Sequence, residues 1–113
     1  MRYALLVCAD ETSELSEEGA EQRYADFTAF QDEMEGRGVL VARERLRPTS
    51  AATSVRVRDG GLVVADGPFA ETKEQIAGFY IIDCEDLDEA IAIASRNPGA
   101  RYGTIEVRPV WEI

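Results

Sequence analysis

Asp66 follows the apolar run Leu62 to Ala65 and precedes Gly67-Pro68, which places its carboxylate at the end of a strand and the start of a turn. Two chemistries are open to it there. Burial against apolar groups disfavours the ionised form and can bring a carboxyl group into the range of a general acid or base. In an ordinary turn, aspartate instead accepts hydrogen bonds from nearby backbone N–H groups, and that is its commoner use. Arg108 and Glu106 alternate with Ile105, Val107 and Pro109 near the C-terminus. On a strand, one set faces one way and the second set the other. If the apolar set faces the helices, the charged pair faces the second surface of the sheet. An arginine there offers a planar fork to a carboxylate or phosphate, or it forms an ion pair between subunits or along an edge strand. Arg45, Glu44 and Tyr3 are candidates to complete such a pocket, and Tyr102 is a further one that also suits an aromatic at a boundary. Lys73 lies two residues after Glu71, so it is either a weakly paired surface lysine or a docking point for an anionic ligand.

The rest of the composition excludes several chemistries. The chain has 113 residues and no histidine, which removes the commonest neutral-pH base and metal ligand. No serine–histidine or cysteine–histidine pair can form within it. Its two cysteines, Cys8 and Cys84, have neither the number nor the spacing of a disulfide scaffold or zinc site. Neither metal nor cofactor is expected. Twelve basic against 22 acidic residues give a formal charge of −10. A phosphate backbone repels such a surface, so nucleic acid is not an expected partner. No stretch approaches the roughly 20 apolar residues of a membrane span. The opening Met1 to Cys8 is followed by acids and not by a small-residue cleavage site, so it reads as a first strand of a cytoplasmic protein.

Those candidate residues need elements to position them. Tyr3 to Cys8 reads as a strand apolar on both faces. Ser13 and Ser16 with Glu17 and Glu18 form a helix start. Tyr24, Phe27, Phe30 and Met34 then make one helical stripe, ended by Gly36 and Gly38. Val39 to Leu46 is the next strand. Thr53 to Arg58 and Leu62 to Ala65 flank Asp59-Gly60-Gly61, a hairpin signal. Gly78 to Cys84 is a further strand apolar on both faces. Asp86-Leu87-Asp88-Glu89 opens a helix with a capping box; Leu87, Ala90, Ile91 and Ala94 form its stripe, and Asn97-Pro98-Gly99 ends it. Thr104 to Val110 is the last strand. With no linker or repeat, residues 1–113 form one domain.

This order predicts an α+β, ferredoxin-like βαββαβ sheet with an inserted β-hairpin and helices on one face. The second face is left bare, although two central strands are apolar on both sides. A second copy is its expected cover, giving a homodimer of stacked sheets with small pockets at the rims. The strands ending in Cys8 and Cys84 run antiparallel in this arrangement, so the two thiols are expected at opposite ends and free.

Asp66-Gly67-Pro68-Phe69-Ala70-Glu71-Thr72-Lys73-Glu74 resembles the signature of the YCII-related (DGPF) family. Arg2-Tyr3-Ala4-Leu5-Leu6, Leu46-x-Pro48, Thr53-x-Val55-Arg56, Gly78-Phe79-Tyr80 and Glu106-Val107-Arg108-Pro109-Val110 extend the resemblance over nearly the whole chain. The resemblance implies a dimeric α/β barrel. For the wider group it implies enzymatic activity through a His–Asp pair, which this chain cannot carry, and kinship with dehydrochlorinases. For the DGPF branch it implies company with extracytoplasmic-function sigma factors.

Two readings of function follow. In the first, the chain is a small-ligand-binding or accessory dimer, with a small anionic ligand and a regulatory protein as partners, linked to sigma-factor regulation. In the second, it is a dehydrochlorinase-like lyase or isomerase with Asp66 as acid/base and Arg108 holding an anion. In either reading, Gly67, Pro68 and Phe69 serve the loop's shape, with Phe69 anchoring it in apolar packing.

Overall fold

A computed structural model describes residues 1–112. The strands are β1 (Arg2–Ala9), β2 (Leu40–Arg45), β3 (Thr53–Arg58), β4 (Gly61–Asp66), β5 (Gln75–Asp83) and β6 (Thr104–Pro109). The helices are α1 (Glu17–Gly36), α2 (Leu87–Arg96) and the single turn α3 (Gly99–Tyr102). Four strands form one sheet in the order β2-β5-β1-β6, with every neighbouring pair antiparallel. Omitting β3 and β4, this is the βαββαβ order of a ferredoxin-like sheet. The remaining two strands pair only with each other, as a hairpin inserted between β2 and β5.

One face of the four-stranded sheet carries the core. Tyr3, Leu5 and Val7 of β1 and Tyr80 and Ile82 of β5 are buried against Phe30 and Met34 of α1 and Ala90, Ile93 and Ala94 of α2. Phe30 meets Tyr80 edge to face at 5.3 Å. Burying a large aliphatic side chain such as Leu5, Ile82 or Ile93 contributes roughly 1.5–3 kcal/mol, so these few positions hold the helices onto the sheet. The molecule measures 47 × 44 × 19 Å. Its shortest dimension is about one helix layer plus one sheet layer, so nothing among the described residues covers the second sheet face.

Both helix starts form as the sequence suggests. Ser16 Oγ accepts from the Gly19 N–H, and Asp86 Oδ1 accepts from the Glu89 N–H. Glu89 reaches back to the Glu85 N–H, closing the α2 capping box one residue early. The stripes are narrower than expected. Tyr24 is exposed, so α1 touches the sheet mainly through Phe27, Phe30 and Met34. On α2, Leu87 and Ile91 face outward and Ile93 takes the buried place. Asn97-Pro98-Gly99 does end α2, but it also begins α3, which the sequence reading missed. Cys8 and Cys84 are free thiols. Cys8 lies on β1 and Cys84 directly follows β5, and the two strands run antiparallel.

Candidate functional site

Arg108 and Glu106 lie on the open sheet face. The register sets Arg108 beside Ala4 and Glu106 beside Leu6, and those residues adjoin Ile81 and Phe79 of β5. Ala4, Leu6, Phe79 and Ile81 are half-buried, an apolar strip with charge on either side. Arg108 Nη2 donates to Glu106 Oε2, so the fork expected to hold a ligand is occupied by its own neighbour. Glu44 flanks the strip from the opposite edge, beside Phe79.

Tyr3 and Arg45 do not join them. Tyr3 is 2% exposed in the core on the helix side, and burial pushes its hydroxyl above the ordinary tyrosine value. Arg45 pairs with Gly78, which also pairs with Val7, so Arg45 belongs to the helix-side register. The reason is the irregularity between Leu40 and Ala42, where Val41 is an extra residue that shifts the alternation of β2.

Asp66 closes β4 opposite Thr53, exposed, with no side-chain hydrogen bond among the described residues. The burial that an acid/base role requires is missing there. The turn is held by the next residue: Gly67 N–H donates to the Ala52 carbonyl at 2.7 Å, and the Ser54 hydroxyl donates to the Gly67 carbonyl at 2.7 Å. Gly67 adopts φ +96°, where a side chain would be strained. Phe69 does not anchor the loop in apolar packing. It is 76% exposed, with the Arg56 guanidinium 4.7 Å from its ring centre, and it flanks a shallow cavity of about 550 Å³ along β3.

A better-defined cluster sits at the C-terminal end of β1. Ala9, Asp10, Ser13, Arg23, Lys73, Glu74 and Tyr102 line a cavity of about 280 Å³. Gly103 brings Tyr102 there: a Cβ on it would lie 2.1 Å from the Cys8 carbonyl oxygen, so only glycine lets the α3–β6 turn press against the end of β1. The Arg23 guanidinium lies 3.7 Å from the centre of the Tyr102 ring. Cation–π contact of this kind fixes the arginine without neutralising it.

Charges in this cavity divide unequally. Asp10 accepts from the Thr12 hydroxyl at 2.6 Å and the Thr12 N–H at 2.9 Å. Those bonds, with a smaller contribution from Lys73, hold its carboxyl below the usual carboxylate value. Glu74 accepts from the Thr104 hydroxyl at 2.9 Å. Arg23 and Lys73, by contrast, make no ion pair within 4.0 Å among the described residues, whereas Arg2, Arg37, Arg43, Arg96, Arg101 and Arg108 all do. Lys73 and Tyr102 were legible as candidates. Arg23, Asp10 and Ser13 were not, because no spacing links them to residues about 80 positions away. No cluster of metal-ligating side chains occurs among the described residues, and no helix there is long and apolar enough to cross a membrane.

Compared with known proteins, residues 1–113 match the family model of the YCII-related domain. An uncharacterised protein of Rhizobium meliloti (strain 1021) is 46% identical over 114 residues, an alignment covering 97% of this chain and 92% of that protein.

Proposed function

The chain belongs to the YCII-related family, and we propose that it binds a small anionic molecule in the cavity between Arg23, Lys73 and Tyr102, as a two-copy accessory protein. One observation carries this reading. In a chain of net charge −10, two cations share a cavity without ion pairs among the described residues, while both carboxylates beside them are bonded to threonine hydroxyls. A carboxylate or phosphate supplies the missing partner through charge-assisted hydrogen bonds. Ser13 offers a further donor. The half-open apolar strip on the sheet supports a second copy of the chain as its cover.

Titration of the protein with inorganic phosphate and with small mono- and dicarboxylates, followed by amide NMR, tests the binding. Shifts are expected around Asp10, Arg23 and Tyr102. A hydrogen bond to a charged group contributes about 1.5–3 kcal/mol, so Arg23→Ala should weaken binding roughly tenfold to a hundredfold. Lys73→Ala should weaken it less, and Arg108→Ala should leave it unchanged. Absence of shifts at millimolar anion, or equal affinity in Arg23→Ala, would remove the cavity from consideration. Neither sigma-factor regulation nor dehydrochlorinase-like chemistry gains support from this site, since Asp66 is exposed at the end of β4 and does not line it.

A further inference from the structure

The cavity at the end of β1 holds charges of both signs that do not meet. Asp10, Arg23 and Glu74 are half-buried in its wall, and Lys73 is exposed at its rim. Charged groups drawn partly out of water normally pair with one another. None of these four does so within 4.0 Å among the described residues. Three are held aside by other partners: Arg23 by the Tyr102 ring, Asp10 by Thr12 and Glu74 by Thr104. These tethers leave acceptor capacity unused. Both bonds from Thr12 end on Asp10 Oδ1, at 2.6 and 2.9 Å, and no hydrogen bond reaches Oδ2 among the described residues. On Glu74 the Thr104 hydroxyl lies 2.9 Å from Oε1 and 3.4 Å from Oε2. A carboxylate has about four acceptor sites, so each acid can take a further donor.

We propose that the cavity takes a small zwitterion, a short amino carboxylate whose anionic end meets Arg23 and Lys73 and whose ammonium meets Asp10 and Glu74. This rests on the anion-binding reading above and adds the second charge. Charge balance favours it over a plain anion. The cavity's two basic and two acidic side chains sum to zero. A plain anion leaves a surplus negative charge beside two carboxylates. A molecule with one charge of each sign leaves the balance unchanged, and its ammonium brings three donors to acids with acceptor sites to spare. Partial burial strengthens both contacts relative to water. Asp10 is suited to the ammonium because the Thr12 hydroxyl and N–H, with a smaller pull from Lys73, hold its carboxyl below the usual value and keep it ionised at neutral pH. Size narrows the class further. A cavity of about 280 Å³ has the room of about nine waters at ~30 Å³ each, enough for an amino acid with a short carbon chain.

Amide NMR titration of the full chain with glycine, β-alanine and γ-aminobutyrate tests the pairing, each run against the plain carboxylate and the alkylamine of the same carbon number. At least one amino carboxylate is expected to bind roughly tenfold or more tighter than its plain carboxylate, the gain of a charge-assisted hydrogen bond. Asp10→Asn, which keeps an acceptor for Thr12, should bring that amino carboxylate down to the affinity of the plain one. Glu74→Gln should remove part of the advantage, and it decides the matter alone if the amide spectrum shows Asp10→Asn unfolded. Arg23→Ala should weaken the amino carboxylate and the plain carboxylate alike. No amino carboxylate tighter than its carboxylate, or an advantage that survives in both acid variants, overturns the zwitterion and leaves the anion site. Tightest binding by the alkylamine, or no shift with any probe including inorganic phosphate, overturns both readings of the cavity together.

Discussion

Replacing Gly103 with alanine puts a methyl carbon 2.1 Å from the Cys8 carbonyl oxygen and 3.2 Å from the Ala9 Cα. Both obstacles are backbone of β1, so no side-chain rotation relieves the contact. The α3–β6 turn must retreat by about 1 Å, loosening the pairing of Cys8 with Thr104 that starts the β1–β6 ladder. Overpacking of this kind costs about 1–3 kcal/mol, occasionally more. At this chain length each kcal/mol moves Tm by about 4 °C, so a fall of roughly 4–12 °C is expected. Gly36→Ala is the paired control. No atom stands within 4 Å of its added Cβ, and alanine in a helix improves on glycine by up to about 1 kcal/mol. Its Tm should rise by a few degrees. Urea unfolding followed by circular dichroism measures both. Because Tyr102 and Thr104 flank Gly103, the first variant should also weaken anion binding, and the second should not. Equal stability of Gly103→Ala and the wild type, within about 0.5 kcal/mol, would refute the view that this close approach positions the cavity.

Asn97 is 1% exposed, and its Oδ1 accepts from the Gly99 N–H at 2.8 Å. Asn97→Ala should therefore cost about 1–3 kcal/mol in urea unfolding, the penalty for orphaning a buried donor. Thermal melts across pH should show stability falling as pH rises above about 8. A hydrogen bond to Asp83 raises the Met1 amine above its ordinary 8.0, and burial raises the Cys8 and Cys84 thiols above their ordinary 9.0. The folded chain thus keeps protons that the unfolded chain releases first, and stability complete below the ordinary values is lost as pH climbs through the raised ones. At the acid end the sign reverses. Asp10, bonded to Thr12, and Glu33, bonded to Arg96, are held low, so their contribution is present above the ordinary carboxylate range and lost as pH falls through the lowered values. A flat Tm from pH 7 to 10 would contradict the alkaline half. Asp66→Asn should change neither stability by more than about 0.5 kcal/mol nor anion affinity, as befits an exposed turn residue.

Periodicity and punctuation carried most of the architecture. The alternation in Tyr3–Val7 and Gly78–Ile82, the caps at Ser16 and Asp86, and Asp59-Gly60-Gly61 are local signals, and each formed the element it specified. Family membership was likewise legible, since the Asp66–Glu74 motif is a run of adjacent residues. Tertiary structure decided the side on which residues fall and what they meet there. The extra residue at Val41 turned Arg45 to the helix side, Tyr3 went into the core, Glu106 took up Arg108, and Asp66 stayed in solvent. Arg23 reached Tyr102 only because Gly103 lets two distant segments touch. Strand and helix preferences are set by neighbours a few positions apart, whereas an unpaired charge in a cavity depends on what every other charge has found, and that is known only once the chain has closed on itself.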